Sequence, residues 1–423
     1  MKQRGPNPEA LAWGCFALLA LVAALWVAWH PGKAIDFHVY WNNARHYFRS
    51  GALMYGPQSG NAWPGGVYRY PPIFLDLFRP LAELPLAVGA ALWAAGKLLL
   101  GGWLAIRLSH RWRVPSVIAL WPGLLLIAPY FVQELRYGNA QFYIVALCVL
   151  ALLDLDRPLR SGFWLGWAAA LKVWPLFFIP CLLVRRRWRA AGYACASAAA
   201  WTVLPVLWRG GRQFHLLAAW LAQERAIAAT SQRLGVLWYP GQSLHDVLAR
   251  YLTHIDYSQL PDAHYVQVAW AHWSTVAVER LWIVLVVVLL AGLFYLLSRQ
   301  SNEDAAAALM FCAVMIVEPH VHRLILETLL WPALWLSAEW VHRRFRPPTS
   351  ILFWLAFVVS VVEPLVPGSA RQRWLQVYGA DFWLVLLPLT VAGCFTVSRP
   401  PPRRRAVCTA GKIGAKGRGI PTG

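Results

Sequence analysis

Charge is what this chain has least of. Only 14% of its 423 residues are charged and 59% are hydrophobic, where a soluble domain averages about 25% charged and about 45–50% apolar. A soluble fold of this composition would leave much apolar surface in water, so the soluble classes drop out. Cysteine clusters are missing too. Cys15, Cys148, Cys181, Cys195, Cys312, Cys394 and Cys408 stand singly, mostly in apolar runs, with no CxxC pair or ligand group; they are expected as small buried hydrophobes. No GxGxxG fingerprint announces a nucleotide. No internal repeat is visible, so the inverted-repeat signature of many transporters is missing. The first apolar run ends in bulky residues rather than a small-residue cleavage site, and is expected to stay as a signal anchor.

Apolar runs and aromatics fill the space. The 26 tryptophans suit a membrane–water interface, where Trp and Tyr concentrate. Apolar stretches recur near 11–29, 86–107, 115–132, 142–153, 162–171, 173–184, 190–207, 277–297, 305–317, 324–340, 350–363 and 380–397, and about 20 such residues cross roughly 30 Å of hydrocarbon. They predict an all-α integral membrane protein of about twelve spans. The short stretches 142–153, 162–171 and 173–184 are expected as half-helices inside the bundle, where protein satisfies irregular backbone.

Formal net charge is +20. A basic surplus can signal nucleic acid, but these charges sit in short knots between apolar runs, which excludes that partner. The knots are Arg111 and Arg113, Arg157 and Arg160, Arg185 to Arg187 with Arg189, Arg299, Arg343 and Arg344 with Arg346, and Arg403 to Arg405. With Lys2 and Arg4 they fall on one side, which the positive-inside rule makes the cytoplasm. Both termini are then cytoplasmic in a multi-pass protein of the cell's inner (plasma) membrane. Residues 1–398 form the membrane domain, 30–85 and 208–276 its external loops, and 399–423 a disordered basic cytoplasmic tail.

Five segments carry the polar chemistry, all on the outer face in this topology. The first places Phe37, Tyr40, Ala44, Tyr47 and Phe48 on one stripe of an interfacial helix, with Asn43, Arg45 and His46 towards water. Asp36 heads that helix, as a cap or as a chemical group. The second, Arg69-Tyr70-Pro71-Pro72, starts a new helix with proline in its first turn; Arg69 either grips a phosphate headgroup or snorkels. The third, Gln133 to Gln141, packs charge, amide and glycine between two spans. The fourth is Lys172, at membrane depth between two half-spans and before Pro175, where a lysine is costly and points to function. The fifth runs from Glu318 to Arg323; its His320 and His322 make only an isolated HxH, so no metal is expected. One carboxylate among several cations suits an anionic, lipid-linked substrate.

The order of Asp36, Arg69-Tyr70-Pro71-Pro72, Gly138-Asn139-Ala140-Gln141, Lys172 with Pro175 and the Arg185–Arg189 knot, Gln242-Ser243-Leu244 with Arg250, and Pro319 with His320 and His322 resembles glycosyltransferase family 87 over about residues 10–340. That resemblance implies a GT-C-type bundle using polyprenyl-phosphate sugars, many members being mannosyltransferases. It assigns Asp36 as catalytic base and sets Arg69 and Lys172, then His320, His322 and Arg323, against the donor phosphate. Tyr40, Tyr70, Arg136, Asn139, Gln141, Gln242 and Arg250 would line the substrates. The family's Gly-Gln-x-Asn element reads Gly-Asn-Ala-Gln here, its Asn-Gln-Ser reads Gly-Gln-Ser, and its Ser-Pro reads Glu-Pro. These departures bear on which sugar is carried.

The implied chemistry is self-consistent. A polyprenyl phosphate is a competent leaving group, so one carboxylate taking the acceptor's hydroxyl proton is enough for inversion. Cations stabilise the departing phosphate, and no cofactor is required. The partners would be a polyprenyl-phosphate-linked sugar donor, a glycolipid or glycan acceptor and the bilayer. A lipid-linked-sugar transporter or flippase is the alternative from another class, and a non-catalytic scaffold a third. The transporter does not explain an aromatic interfacial helix headed by an aspartate, and in the scaffold reading the outer-face charges would serve solubility alone.

Overall fold

The computed structural model describes residues 8–56, 67–234, 241–254, 266–366 and 369–397. Among them Gly241 and His322 form an isolated antiparallel bridge, and there is no strand. The helices are α1 (Pro8–Trp29), α2 (Ile35–Arg45), α3 (Pro72–Ala82), α4 (Leu86–Arg111), α5 (Trp121–Tyr137), α6 (Gln141–Leu153), α7 (Pro158–Leu171), α8 (Phe178–Val184) and α9 (Trp188–Val203). They continue as α10 (Val206–Arg209), α11 (Arg212–Leu234), α12 (Leu244–Leu252), α13 (Thr275–Arg299), α14 (Glu303–Val317), α15 (Leu330–Val341), α16 (Pro347–Val362), α17 (Ser369–Val377) and α18 (Leu387–Val397). Lys2, Arg4, Arg403 to Arg405, the rest of the 399–423 tail, and residues 57–66, 235–240 and 255–265 lie outside the described residues.

Apolar composition decides which helices face outward. Leu18, Leu21 and Leu25 on α1 and Val284, Val287 and Val288 on α13 are exposed; a helix apolar all round with such a surface faces lipid. Each pairs its own backbone, so no polar group meets hydrocarbon. By contrast α6, α14 and α15 bury nearly every residue and form the centre. Helix α7 meets α9 at Gly162 and Gly166, where a Cβ would lie 2.4 Å from Tyr193 and Ser197 Cβ. Small residues four apart let backbones touch, which is how helices associate where lipid removes the hydrophobic drive.

Seven helices have the length and apolarity of a full crossing, and an eighth is gained if Arg371–Val377 and Phe382–Thr396, bent by 65°, count as one. The protein is a multi-pass membrane protein. All twelve apolar stretches contain helix, and among the described residues seven or eight helices are long and apolar enough for a full crossing. Helix α6 has 13 residues, α7 14 and α14 15. At 1.5 Å per residue α6 covers about 20 Å, short of the hydrocarbon thickness.

Helix ends sort to two poles. At one, Arg111 meets Asp304 at 2.6 Å, and Arg187 meets Glu303 at 2.6 Å and Asp156 at 3.9 Å. Arg185 donates to the Gln300 carbonyl, and His342 Nε2 lies 2.8 Å from the Trp112 carbonyl. The described basic knots around 111–113, 157, 185–189 and 343–346 gather here. The opposite pole collects the ends of α1, α5, α7 and α14, and with them the polar segments.

On α2, Phe37, Tyr40 and Ala44 are buried as the stripe requires. Asn43, expected in water, is instead buried and donates to the Met54 carbonyl at 3.3 Å, because residues 51–56 fold back across it. Arg45 lies 4.3 Å from the Trp41 ring. Residues 46–50 widen into a π-turn, which takes Tyr47 and Phe48 off the stripe and leaves them half-buried.

Lys97 on α4 and Glu134 on α5 form a fully buried 2.7 Å ion pair. Lys97 also donates to the Asn139 carbonyl, and Glu134 accepts from the Phe142 amide at 3.4 Å. The pair therefore joins α4, α5 and the start of α6. Stranding one buried charge costs about 3–5 kcal/mol. Lys97→Met is thus expected to lower the unfolding temperature of the detergent-purified protein sharply, with partial recovery in Lys97→Met/Glu134→Leu. Equal unfolding temperatures in wild type and Lys97→Met would refute the pair's structural role.

Candidate active site

Chain direction brings Asp36 to the polar pole. Helix α1 ends at Trp29, a turn follows, and α2 begins with Ala34 as its N-cap and no side-chain cap bond. Asp36 is therefore not the cap. Its half-buried carboxylate turns away from the helix amides and accepts from Asn139 Nδ2 at 2.8 Å. Burial pushes its pKa above the usual carboxylate range; the Asn139 hydrogen bond and the charges of Lys97 and Lys172 pull the other way.

Asn139 is held by the turn between α5 and α6. Gly138 closes α5 with φ +70°, a conformation glycine adopts without strain. Its carbonyl accepts from Trp93 Nε1 at 3.0 Å. A Cβ there would lie 2.7 Å from Phe37 Cβ, so only glycine lets α2 come this close. Asn139 Oδ1 accepts from Tyr70 Oη at 3.2 Å and the Gln141 amide at 2.9 Å. Gln141 donates to Thr328 Oγ1 at 3.0 Å, and its Oε1 accepts from Lys172 Nζ at 2.8 Å. Lys172 ends α7 in extended backbone, its ammonium 5.9 Å from the Tyr70 ring centre. A continuous polar chain thus runs Asp36, Asn139, Gln141, Lys172.

Tyr40 packs its buried ring against Tyr70, Phe74 and Phe78. Beside the chain lies an apolar cavity of about 330 Å³, lined by Phe74, Phe78, Trp93, Tyr143, Leu147 and Leu171 among others. Its wall includes Ala140 and Leu171, the sequence neighbours of Asn139, Gln141 and Lys172.

Other expected residues lie elsewhere or are engaged. Arg69 is held by Glu224 of α11, with Nη2 2.7 Å from Oε2, while Trp220 and Gln223 hold the 68–69 backbone. Arg323 does not face the cluster: it is buried between Glu363 at 2.9 Å and Asp381 at 3.2 Å, with its guanidinium carbon 5.6 Å from the Tyr130 ring centre. Buried Arg250 donates to the carbonyls of Gly241 and Val377, and Gln242 to that of Gln376. Both brace the fold where substrate contacts were expected. Arg136 is exposed, with no hydrogen bond or ion pair among the described residues.

The two late motifs pair with each other. The Gln242 amide donates to the Val321 carbonyl at 2.6 Å, and Ser243 Oγ to that of Pro319 at 2.6 Å. That contact delivers Asp246 to His320, Oδ1 to Nδ1, at 3.1 Å. Asp246 is buried, which by itself raises a carboxyl pKa, yet contacts with His245 and His320 and the charges of His320 and Arg250 hold it well below the usual range. His320 is raised by its Asp246 hydrogen bond, against burial and the Arg69 charge. His322 is half-buried on the bridge to Gly241. Among the described residues, His245, Asp246 and His320 form a group whose possible metal-ligand atoms all lie within 4.8 Å of one another.

Several residues escaped the sequence reading. Lys97, a lone lysine within an apolar run, carried a usable signal. His245 and Asp246 sat inside the Gln242–Arg250 segment, but their partner is 74 residues away. Glu327 is fully buried, its carboxylate without a hydrogen-bond partner among the described residues and facing the charges of Lys97 and Lys172. No spacing pattern singles it out.

These features define a helical membrane protein with a largely half-buried acid–amide–ammonium chain beside an apolar cavity. Residues 68–319 match glycosyltransferase family 87. The chain belongs to that family. It is 28% identical over 276 residues to the polyprenol-phosphate-mannose-dependent alpha-(1-2)-phosphatidylinositol mannoside mannosyltransferase of Mycobacterium tuberculosis, covering 55% of this chain and 64% of that protein. It is 29% identical over 199 residues to the corresponding pentamannoside mannosyltransferase of Mycolicibacterium smegmatis, covering 45% and 47%. The chain thus spans less than two thirds of the length of these curated relatives. No solved structure matches it significantly. Asp36 precedes the matched stretch, so its place in the site rests on geometry.

Gly138→Ala tests that geometry. The variant must hold alanine at positive φ, which costs about 1 kcal/mol or more, and must push Phe37 away. Lower thermal stability and faster hydrogen exchange in residues 35–45 are expected. Unchanged exchange would mean that Gly138 does not seat α2.

Proposed function

We propose that this chain is a polyprenyl-phosphate-sugar-dependent glycosyltransferase, carrying a mannose-like sugar to a lipid or glycan acceptor on the extracytoplasmic face. The observation that carries the reading is the apolar cavity abutting the Asp36–Asn139–Gln141–Lys172 chain. An isoprenoid tail suits the cavity, its phosphate suits Lys172, and the anomeric carbon then falls between ammonium and carboxylate. Family membership and the relatives' names support the donor class.

In this mechanism Asp36 takes the acceptor's hydroxyl proton as that oxygen attacks the anomeric carbon. The bond from carbon to phosphate oxygen breaks, polyprenyl phosphate departs, and the configuration inverts. Lys172 stabilises the negative charge on the leaving phosphate. Arg69 could join it only by leaving Glu224, so donor binding would release that contact. The wider reading is a GT-C-type bundle crossing twelve times, with its shorter helices completing the count and both termini in the cytoplasm of the inner membrane. The basic pole faces inward under the positive-inside rule.

The test is transfer of mannose from polyprenyl-phosphate-mannose to acceptor lipids in nanodiscs, with products read by mass spectrometry. General-base catalysis is worth about 10²–10⁴-fold, so Asp36→Asn should lose turnover by that factor with donor affinity near wild type. The variant leaves the Ala34 cap untouched. Lys172→Met should show the reverse emphasis, with donor affinity about 10–100-fold weaker, the equivalent of one charge-assisted contact. Because burial raises the Asp36 pKa and the base must be ionised, the acid limb of kcat/KM should lie above the usual aspartate range. An Asp36→Asn variant with more than about a tenth of wild-type turnover would remove the base assignment.

Topology has its own test. Lys33 is exposed beside the site, so Lys33→Cys in intact cells should react with an impermeant maleimide from outside. Labelling only after the cells are opened would invert the assigned face.

A further inference from the structure

Beyond the transfer chemistry, the structure assigns a divalent-metal site, of the zinc class, to His245, Asp246 and His320. Asp246 Oδ1 stands 3.1 Å from His320 Nδ1 and 4.0 Å from His245 Nδ1. One possible ligand atom from each residue can be chosen so that all three lie within 4.8 Å of one another. Ligands held at about 2.0–2.1 Å in a tetrahedron around zinc are about 3.3 Å apart, so small side-chain rotations bring the three into place.

Two further observations point to a ligand. His245 Nδ1 and Asp246 Oδ2 are buried without a hydrogen-bond partner, a state that costs about 1–3 kcal/mol per group. The site is also built rather than incidental. Ser243 caps α12 through the Asp246 amide at 2.9 Å and ties it to Pro319. Gly241 leaves room for the carboxylate: a Cβ there would lie 2.4 Å from Oδ2. The His245 ring is set against Trp282, with centroids 5.1 Å apart. Two imidazoles and one carboxylate are the donor set of zinc sites that keep a fourth position open, and His320 is exposed on that side. The 3.1 Å hydrogen bond between His320 Nδ1 and Asp246 Oδ1 would give way to the metal, its proton being released on binding.

The cation would lie at the edge of the proposed donor site, where Arg69 and Glu318 already act on His320. Only that location depends on the transferase reading. Metal content is measured without donor, so failure of one leaves the other standing.

The experiment uses full-length protein in nanodiscs, stripped with a chelator, equilibrated with micromolar Zn²⁺, desalted and analysed by plasma mass spectrometry. About one zinc per chain is expected. Asp246→Asn and His245→Gln should each weaken binding by at least about tenfold, since even outer-shell changes cost that much. Wild-type protein loaded with Co²⁺ should show the visible bands of a four-coordinate nitrogen–oxygen site. Zinc below about a tenth of an equivalent overturns the site. So does retention unchanged in both variants, which would mean adventitious ions on other histidines. The cobalt spectrum needs no variant and decides the matter if either substitution fails to fold.

Discussion

The pair between Lys97 and Glu134 is the contact on which the polar pole depends. Two charges buried at membrane depth are costly, and the cost is met only because each makes further hydrogen bonds. Lys97 reaches the Asn139 carbonyl and Glu134 the Phe142 amide, so the pair fixes the backbone from Asn139 to Phe142. That residue then serves Asp36, Tyr70 and the Gln141 amide at once. An apolar substitute for the pair could pack, but it would leave the 138–142 turn without its anchor.

The bilayer sets the second constraint. Long helices such as α1 and α13 supply the lipid-facing frame, and the shorter α6, α7 and α14 work inside it, where length is not dictated by hydrocarbon thickness. Short helices end inside the protein, so their termini become places for polar residues. Gln141 begins α6, and Lys172 follows the last residue of α7. The site is therefore assembled from helix ends that a soluble fold would place at its surface.

Much of this was legible in the sequence, for identifiable reasons. Apolar length and basic knots are properties of contiguous residues, and helices and a shared basic pole followed. Pro72 opens α3 and Lys172 sits at the break after α7, because proline rules and the cost of an intramembrane charge are local. Asp36, Asn139, Gln141, Tyr70 and Lys172 do converge. What could not be read was pairing between distant segments. Arg323 looked like a phosphate ligand, but Glu363 and Asp381 take it; Arg69 looked free, but Glu224 holds it. Gln242 and Arg250 kept their motif positions yet spend their donors on backbone carbonyls. Span number was not legible for a related reason, since a short central helix and a full span share composition and differ in their neighbours.

The separation of Asp36 from its cap position bears on the base role proposed for it. A capping aspartate would turn its oxygens to the first amides of α2, where the helix dipole stabilises the charged form and lowers its basicity. Here Ala34 holds that position, and the carboxylate faces a neutral amide instead. Asn139 supplies orientation through Oδ2 and leaves Oδ1 outside that bond. Lys172 sits beyond two amides and forms no closed ion pair with Asp36, which leaves it available for the phosphate in the proposed mechanism. A carboxylate paired directly with the ammonium would be a weaker base, and the ammonium a weaker phosphate ligand. Two intervening amides keep both groups oriented without letting them neutralise each other.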